Sequence, residues 1–523
     1  MPRIQGCHGI MNRREPSDLP ETKEPIPGPK ADAWGDRGVL WILLLYFSGM
    51  AFLRLMISPT AGLDEAEQLL FTQRWQWGYG PQPPLYTWLQ ILIFEITGVS
   101  VLGLSVLKNA LLFGIFLFAF RAARQLLCNR RAASIVVWSL FFLPHLSWEA
   151  QRELTHTVLV TCVAAATWVA VLGLINSGHR LRYLSLGFCV GLGLLSNYSY
   201  ALLLSGLAVA VFWDPVLRQR FASPKIFWFA SSAAACVALH LYWAIQNPHV
   251  VTKSVQKLEM AREHAWWVTA AKGLGNVIQT WADPLMLLGV LFVVLIGWRG
   301  LSMKSLFQNA MSRPPVRLVW RTLAANIVLL AIGVLISGAS NLKERWLTPL
   351  FLAIPLLFAA LRENHLSEVV YRRFQGLAFV IMVFTAMLLA GRVWFAEWSQ
   401  RPVALNAPLS QLVDTWRPQI LPGDVILAEN TWLAGNLRLL LPGHAVMTPR
   451  EPGLRLPVTH GRGWVIWDQT RSEAVPDALT TLLDELGAEI ETGSIPISME
   501  APLRHFSQRT LRLNALRFRA ISK

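Results

Sequence analysis

Charge is scarce in this sequence. Asp, Glu, Lys and Arg make up 15% of its 523 residues, while 54% are hydrophobic; a soluble protein carries about a quarter charged residues. The shortage excludes a soluble enzyme with a single anchor. Apolar runs recur from Val39 to Trp394, and many approach the roughly 20 residues that cross a bilayer. Cysteine is also sparse. Cys7, Cys128, Cys162, Cys189 and Cys236 have neither paired nor metal-ligand spacing, and none lies in the C-terminal part, which argues against a disulfide framework or a zinc site. There is no Walker A motif, no G-x-G-x-x-G and no H-E-x-x-H. The run "GLGLL" at Gly191 lacks the third glycine and sits in an apolar segment, so a nucleotide-driven machine is not indicated. No internal repeat is found, which weakens a secondary-transporter plan. No cleavable signal is evident either. Residues 1–38 are polar, with Pro and charges of both signs, and are expected to be a disordered cytoplasmic N-terminus. Met11 is an alternative start, and the first apolar segment reads as an uncleaved signal-anchor.

What is present is an excess of base, a net charge of +15. Bases on cytoplasmic loops fix membrane topology, so the excess needs no nucleic-acid partner. Eleven candidate spans can be read: Val39–Ile57, Val101–Phe120, Ala132–Pro144, Leu154–Ile175, Tyr183–Leu195, Tyr200–Trp213, Ile226–Ile245, Pro284–Gly297, Leu323–Ser337, Trp346–Leu361 and Leu377–Trp394. The brief apolar segment Leu85–Thr97 is expected to lie at the membrane interface. With the N-terminus in the cytoplasm, alternation puts Arg121, Arg124, Arg130, Arg131, Arg180, Arg182, Arg218, Arg220 and Lys225 on cytoplasmic loops. The opposite loops are poorer in base, apart from residues 246–281 with Lys253, Lys257, Arg262 and Lys272. That loop reads as amphipathic and mobile, suited either to an acceptor cleft or to anionic lipid. Residues 399–523 contain no span. Strand-like runs "DVILA", "HAVMT" and "GWVIWD", with a helical "TWLAGNLRLLL" between the first two, predict a small periplasmic α/β domain behind a transmembrane domain at 39–398.

The densest acidic cluster, Asp64, Glu65 and Glu67, follows the first span and therefore faces the periplasm. A helix starting near Asp64 would put Asp64 and Glu67 on one face and Glu65 apart. Acids there offset a helix dipole, and a carboxylate at a membrane-bounded cavity can also serve as general base. Further on, "GYGPQPPLYTWL" breaks the chain and leads into the interfacial helix. Its aromatics, with Trp75 and Trp77, suit either headgroup anchoring or a sugar-binding wall. Glu149, Arg152, Glu153 and His156 gather at the top of a later span. Glu149 and Arg152 have helical spacing for an ion pair, whereas His156 lies within the apolar run, where polar groups usually face a cavity. Lys343 and Arg345, beside Trp346, are either snorkelling bases or a phosphate site, with Pro349 placed to kink the next span.

These residues together resemble the membrane-embedded GT-C glycosyltransferases, in the branch of lipid A aminoarabinose transferase and protein mannosyltransferase. Asp64-Glu65 after the first span matches that branch's acidic pair, and Pro83-Pro84-Leu85-Tyr86-Thr87-Trp88 matches its Pro-Pro motif. Lys343, Arg345, Trp346 and Pro349 resemble its late basic-aromatic-proline motif. The resemblance implies a GT-C fold, an α-helical polytopic membrane protein of about 11 spans with a small C-terminal periplasmic α/β domain. It implies a polyprenyl-phosphate sugar donor, used on the periplasmic face of the bacterial inner membrane. Asp64 would then be the general base for an inverting transfer, and Glu65 would orient the acceptor or the base. Lys343 and Arg345 would hold the leaving phosphate. Two departures stand out: Gln82 occupies the place where some relatives have Lys, and Thr155 is followed by His156 where relatives often show an acid. Phosphate binding then leans on Lys343, Arg345 or Arg152, and substrate contacts are assigned to Gln82, Tyr86, His156 and Trp346. The expected partners are that donor, an acceptor in lipid A, lipopolysaccharide or another envelope glycolipid, and membrane lipids. No cofactor is required by this reading, and assistance by a divalent metal ion is left open. The alternative is a transporter or flippase of lipid-linked sugars, which would place polar residues deep in several spans and show repeat symmetry.

Overall fold

The computed structural model describes residues 33–252, 266–297, 307–308, 311–451, 453–458 and 461–521. The expected N-terminal disorder at 1–32 lies outside them, as do Lys253, Lys257 and Arg262 of the long loop. The first helices are α1 (Ala33–Ile57), α2 (Leu63–Phe71), α3 (Leu85–Thr97), α4 (Val101–Leu126), α5 (Arg130–Ser139) and α6 (Ala150–Arg152). They are followed by α7 (Thr155–Asn176), α8 (Arg180–Ser196), α9 (Tyr200–Trp213), α10 (Pro215–Phe221) and α11 (Ile226–Gln246).

Each of the eleven segments read as spans falls on helix, but not each on a helix of spanning length. Among the described residues, seven helices are long and apolar enough to cross a membrane, or eight if the bent pair α9–α10 counts as one. The difference has local causes. Leu140–Phe142 tightens into a 3-10 turn that ends α5. The segment Trp346–Leu361 is broken into Thr348–Phe351 and Ala353–Arg362, and Pro349 sits in the first turn of the former, where its missing N–H costs nothing, rather than kinking a continuous span. Pro284 lies inside the helix Trp266–Ile296, so half of the supposed mobile loop is helical.

α7 is hydrophobic on all sides and is correspondingly buried, packed against α4 and α8. Close approach requires small residues. A Cβ on Gly114 would meet Cys162 Sγ at 2.8 Å, and one on Gly187 would meet the Phe229 carbonyl at 2.2 Å. Gly187 and Gly191, four apart, form the face of α8 that rests on α11; the "GLGLL" run is helix packing.

Beyond the membrane helices stands a six-stranded mixed sheet, ordered β2-β1-β3-β6-β4, with β5 hydrogen-bonded to β6. β1 (Val425–Ala428), β2 (Val446–Met447) and β3 (Arg462–Asp468) are the three runs read from the sequence, with the helix Thr431–Leu440 between the first two. β4 (Ala488–Ile490), β5 (Ile497–Leu503) and β6 (Phe506–Ala520) complete it. Alternation along β3 sends Trp464 and Ile466 to one apolar core with Trp416, and Val465 and Trp467 to the other with Leu479 and Leu482.

Candidate active site

α2 is only nine residues long, and its successive side chains serve different neighbours. Glu65 turns back toward α1. Arg54 Nε and Nη2 donate to its two oxygens at 3.0 and 2.6 Å, and the Gly62 N–H donates to Oε2 at 2.8 Å. The same guanidinium donates to the carbonyls of Ser58 and Thr60, stapling the turn between α1 and α2. Burial alone would raise the Glu65 pKa. Arg54, with Lys108 and the Gly62 N–H, outweighs it and brings the value down to about 2. Both Glu65 oxygens are thus engaged at the turn between α1 and α2.

Asp64 turns the other way. Its Oδ2 accepts from the backbone N–H groups of Leu154 at 2.7 Å and Thr155 at 3.4 Å. Leu154 adopts a left-handed backbone (φ 68°) and offers α7 no side-chain cap, so Asp64 supplies from another helix the cap that α7 lacks. One turn later Gln68, fully buried, accepts from Thr87 Oγ1 at 2.9 Å and lies 3.2 Å from His156 Nε2. With its oxygen engaged by Thr87, the Gln68 amide donates to His156.

Asp64 lines a cavity of about 540 Å3 with Glu67, Gln82, His156, Arg345 and Trp346. The split between Asp64 with Glu67 and Glu65 alone is as the helix spacing predicts. Gln82 accepts from Asn197 Nδ2 at 3.4 Å across this cavity. Arg345 makes no ion pair among the described residues, whereas the neighbouring Glu344 is 3.2 Å from His145 Nε2. Lys343 is half-buried on the same segment but does not line the cavity. Leu329, Leu330 and Val334 form an apolar wall.

Other expected site residues fall elsewhere. Tyr86, assigned to substrate, is 1% exposed and packs its ring 5.5 Å from that of His156, because α3 buries the face bearing Leu85, Tyr86 and Phe94. Tyr79 is likewise buried, while Trp75 and Trp77 are exposed. Arg152 pairs with Glu149 at 3.3 Å, in the helical spacing noted above, and lies over the Trp148 ring. Together with Glu65 it lines a second, smaller cavity of about 230 Å3. Among the described residues no three His, Cys, Asp or Glu side chains are arranged to hold a metal ion.

Two features escaped the sequence reading. Lys108 of α4 is 3% exposed, its Nζ has no hydrogen-bond partner among the described residues, and its charge acts on Glu65 and Asp64. The signal was there: a lone Lys in the apolar run Val101–Phe120, where ionisable residues are functional candidates by default. The second is the grip of the C-terminal unit on α2. Asn436 Oδ1 accepts from the Ala61 N–H at 2.7 Å, and Trp432 Nε1 donates to the Ala61 carbonyl at 3.0 Å. Gly435 lies against Ala66, where a Cβ would meet the carbonyl oxygen at 2.0 Å.

Residues 81–243 match the dolichyl-phosphate-mannose-protein mannosyltransferase family. The chain is 31% identical over 469 residues to the lipopolysaccharide core galacturonosyltransferase RgtB of Rhizobium johnstonii, covering 88% of this chain and 94% of that one. It is 28% identical over 450 residues to galacturonosyltransferase RgtA of the same organism, covering 84% and 88%. The crystal structure of ArnT from Cupriavidus metallidurans bound to undecaprenyl phosphate superposes with a TM-score of 0.59 at 14% identity, over 93% of this chain and 98% of that one. The fold is thus the GT-C fold, and the chain belongs to the family of membrane GT-C glycosyltransferases that includes these lipopolysaccharide core galacturonosyltransferases.

Proposed function

We propose that this glycosyltransferase moves galacturonic acid, the sugar its relatives are named for, from a polyprenyl-phosphate donor to the lipopolysaccharide core, on the periplasmic face of the inner membrane. The observation that carries the reading is the pairing, in one cavity, of Asp64 with an Arg345 that has no carboxylate partner among the described residues. The first is a base and the second an anion hold, and an apolar wall beside them suits a prenyl chain. Orientation supports it as well, since the positive-inside pattern of the loops favours an α1–α2 turn outside the cytoplasm.

In this mechanism an acceptor hydroxyl attacks the anomeric carbon from the face opposite the phosphate. Its proton passes to Asp64 Oδ1, the oxygen not occupied by the α7 N–H groups. The bond from the anomeric carbon to the phosphate oxygen breaks, and the electron pair leaves with the polyprenyl phosphate. Inversion follows. Arg345 stabilises the charge that develops on the departing phosphate, a contribution largest in the transition state. Gln82 and Asn197 offer neutral hydrogen bonds to sugar hydroxyls, and Trp346 a ring face. Glu65 and Arg152 hold the scaffold, and Lys343, two residues from Arg345, stands outside the cavity lining.

The test is mass spectrometry of envelope glycolipids from a deletion strain complemented with wild type or Asp64→Asn. Loss of a hexuronate mass, restored by wild type alone, is expected. An unchanged profile in the deletion strain, or full rescue by Asp64→Asn, overturns the proposal.

A further inference from the structure

A second apolar cavity in the membrane domain plays no part in the transfer chemistry. It measures about 400 Å3 and lies among α7, α8, α9, α10 and α11, with a hydrocarbon lining that includes Leu186, Val190, Leu207 and Phe229. Arg218 is the one charged residue in that lining.

Its depth follows from α7, which passes both cavities. His156 lines the active-site cavity and Val171 this one. At 1.5 Å per residue the separation is on the order of 20 Å, against a hydrocarbon core of about 30 Å. The apolar cavity therefore opens toward the headgroup layer opposite the transfer site. There α9 ends in exposed Phe212 and Trp213, and the chain bends by 107° into α10. Aromatics of this kind mark the interface. α10 buries Leu217 inward and exposes Arg218, so it lies along the membrane surface with a cation at the cavity mouth.

The charge at this corner is one-sided. Between residues 176 and 225 the sequence holds Arg180, Arg182, Arg218, Arg220 and Lys225 against a single acid, Asp214. Asp214 is fully buried and engaged by Arg317 at 2.7 Å and Arg321 at 3.3 Å. Lys225 Nζ donates to the Gly178 carbonyl, and the Arg220 guanidinium packs against Gly178, which ties these bases to the α7–α8 turn. Topology alone would call for bases in the loop, but not for a cavity beneath them.

We infer that this cavity binds an anionic glycerophospholipid, with an acyl chain in the apolar lining and the headgroup phosphate at Arg218 and Arg220. A polyprenyl-phosphate donor does not fit both features, since its phosphate belongs at Arg345 in the other layer. The exclusion of the donor and the placement opposite the transfer site rest on the transfer reading; the preference for an anionic headgroup does not.

The test is native mass spectrometry of the full-length protein in detergent, titrated with dioleoylphosphatidylglycerol or dioleoylphosphatidylethanolamine. Wild type is expected to retain one phosphatidylglycerol in preference to phosphatidylethanolamine. Each base near the membrane surface contributes about fivefold, so Arg218→Ala with Arg220→Ala lowers that preference by about 25-fold. Ala208→Trp, an exposed lining residue, fills the cavity and abolishes the retained lipid, while Val209→Trp, exposed but off the lining, leaves it. Equal retention of the two lipids by wild type overturns the inference. So does an unchanged preference in the Arg pair, or displacement of phosphatidylglycerol by an equal concentration of a polyprenyl phosphate. Should Ala208→Trp fail to fold, the pair of exposed Arg218 and half-buried Arg220 carries the test alone.

Discussion

Glu65→Gln separates a structural carboxylate from a catalytic one. The Glu65 pKa falls from 4.5 to about 2 in the folded protein. Its depression means that the folded state is favoured while the group is ionised. That stability is present above pH 4.5 and is lost as the pH falls toward 2. At 1.36 kcal/mol per unit the contribution is about 3 kcal/mol. The carboxylate is 7% exposed and Arg54 12%, so solvent screening removes little of it. Glu65→Gln keeps an acceptor for Arg54 and for the Gly62 N–H but loses the charge. It is expected to melt below wild type at pH 7, with the gap falling to about half by pH 3 and closing below pH 2. Arg54→Met is worse, because it strands a buried carboxylate; breaking one side of such a pair costs about 3–5 kcal/mol. Below the melting temperature, Glu65→Gln transfers sugar within about tenfold of wild type, since its side chain lies outside the Asp64 cavity, whereas loss of a general base costs about 10²–10⁴-fold. Thermal scans in detergent at pH 7, 5 and 3, paired with a transfer assay, read both quantities. If Glu65→Gln abolishes transfer at an unchanged melting temperature, Glu65 belongs to the chemistry and the ion-pair account is refuted.

Three more outcomes are expected. Arg345→Ala lowers single-turnover transfer by about 10²–10³-fold, as removal of a charge-stabilising donor does, and Arg345→Lys recovers part of it; a near-wild-type rate for the Ala variant contradicts the phosphate role. Gly435→Ala drives a Cβ into the Ala66 carbonyl and should lower both melting temperature and transfer, while Gly443→Ala, which meets nothing within 4 Å, leaves both unchanged; equal behaviour of the two variants contradicts the grip on α2. Lys108→Met keeps the volume and removes a buried cation without a hydrogen bond. Stability is expected to hold or rise, and transfer to fall more than tenfold as Asp64 and Glu65 lose a shared neighbouring charge; unchanged transfer assigns Lys108 to packing alone.

The parts of this protein that were legible in its sequence are those set by local pattern. The separation of Asp64 and Glu67 from Glu65 follows from helical spacing, and β1, the helix Thr431–Leu440, β2 and β3 follow from apolar runs between turns. β6 escaped because its bases interrupt every apolar run: Arg512, Arg517 and Arg519 are interleaved with buried Leu513, Ala515, Leu516 and Phe518, and Ser507–Thr510 at the start of the strand are exposed. The break at Trp346–Leu361 escaped because hydropathy does not register a helix that stops and restarts. Tyr86 was misplaced for a related reason, since which face of α3 is inward depends on His156, 70 positions later. The contacts of Ala61 with Asn436 cross 375 positions and have no local signature at all.

That last contact bears on how a base can be held in so short a helix. Nine residues form no stable helix alone, because nucleation is unfavourable and propagation is brief. α2 persists because each turn is tied outward: Glu65 to α1, Asp64 to the start of α7, Gln68 to His156 and Thr87, and Ala61 and Ala66 to the helix Thr431–Leu440. Asp64 is thus positioned by four elements rather than by its own helix. A catalytic group held this way keeps its geometry only while all four supports agree. Transfer should therefore be lost before the membrane helices unfold, beginning with whichever support is least buried. The C-terminal unit provides one of them, so under the proposed mechanism it helps to aim Asp64 and is not an appendage to the membrane domain.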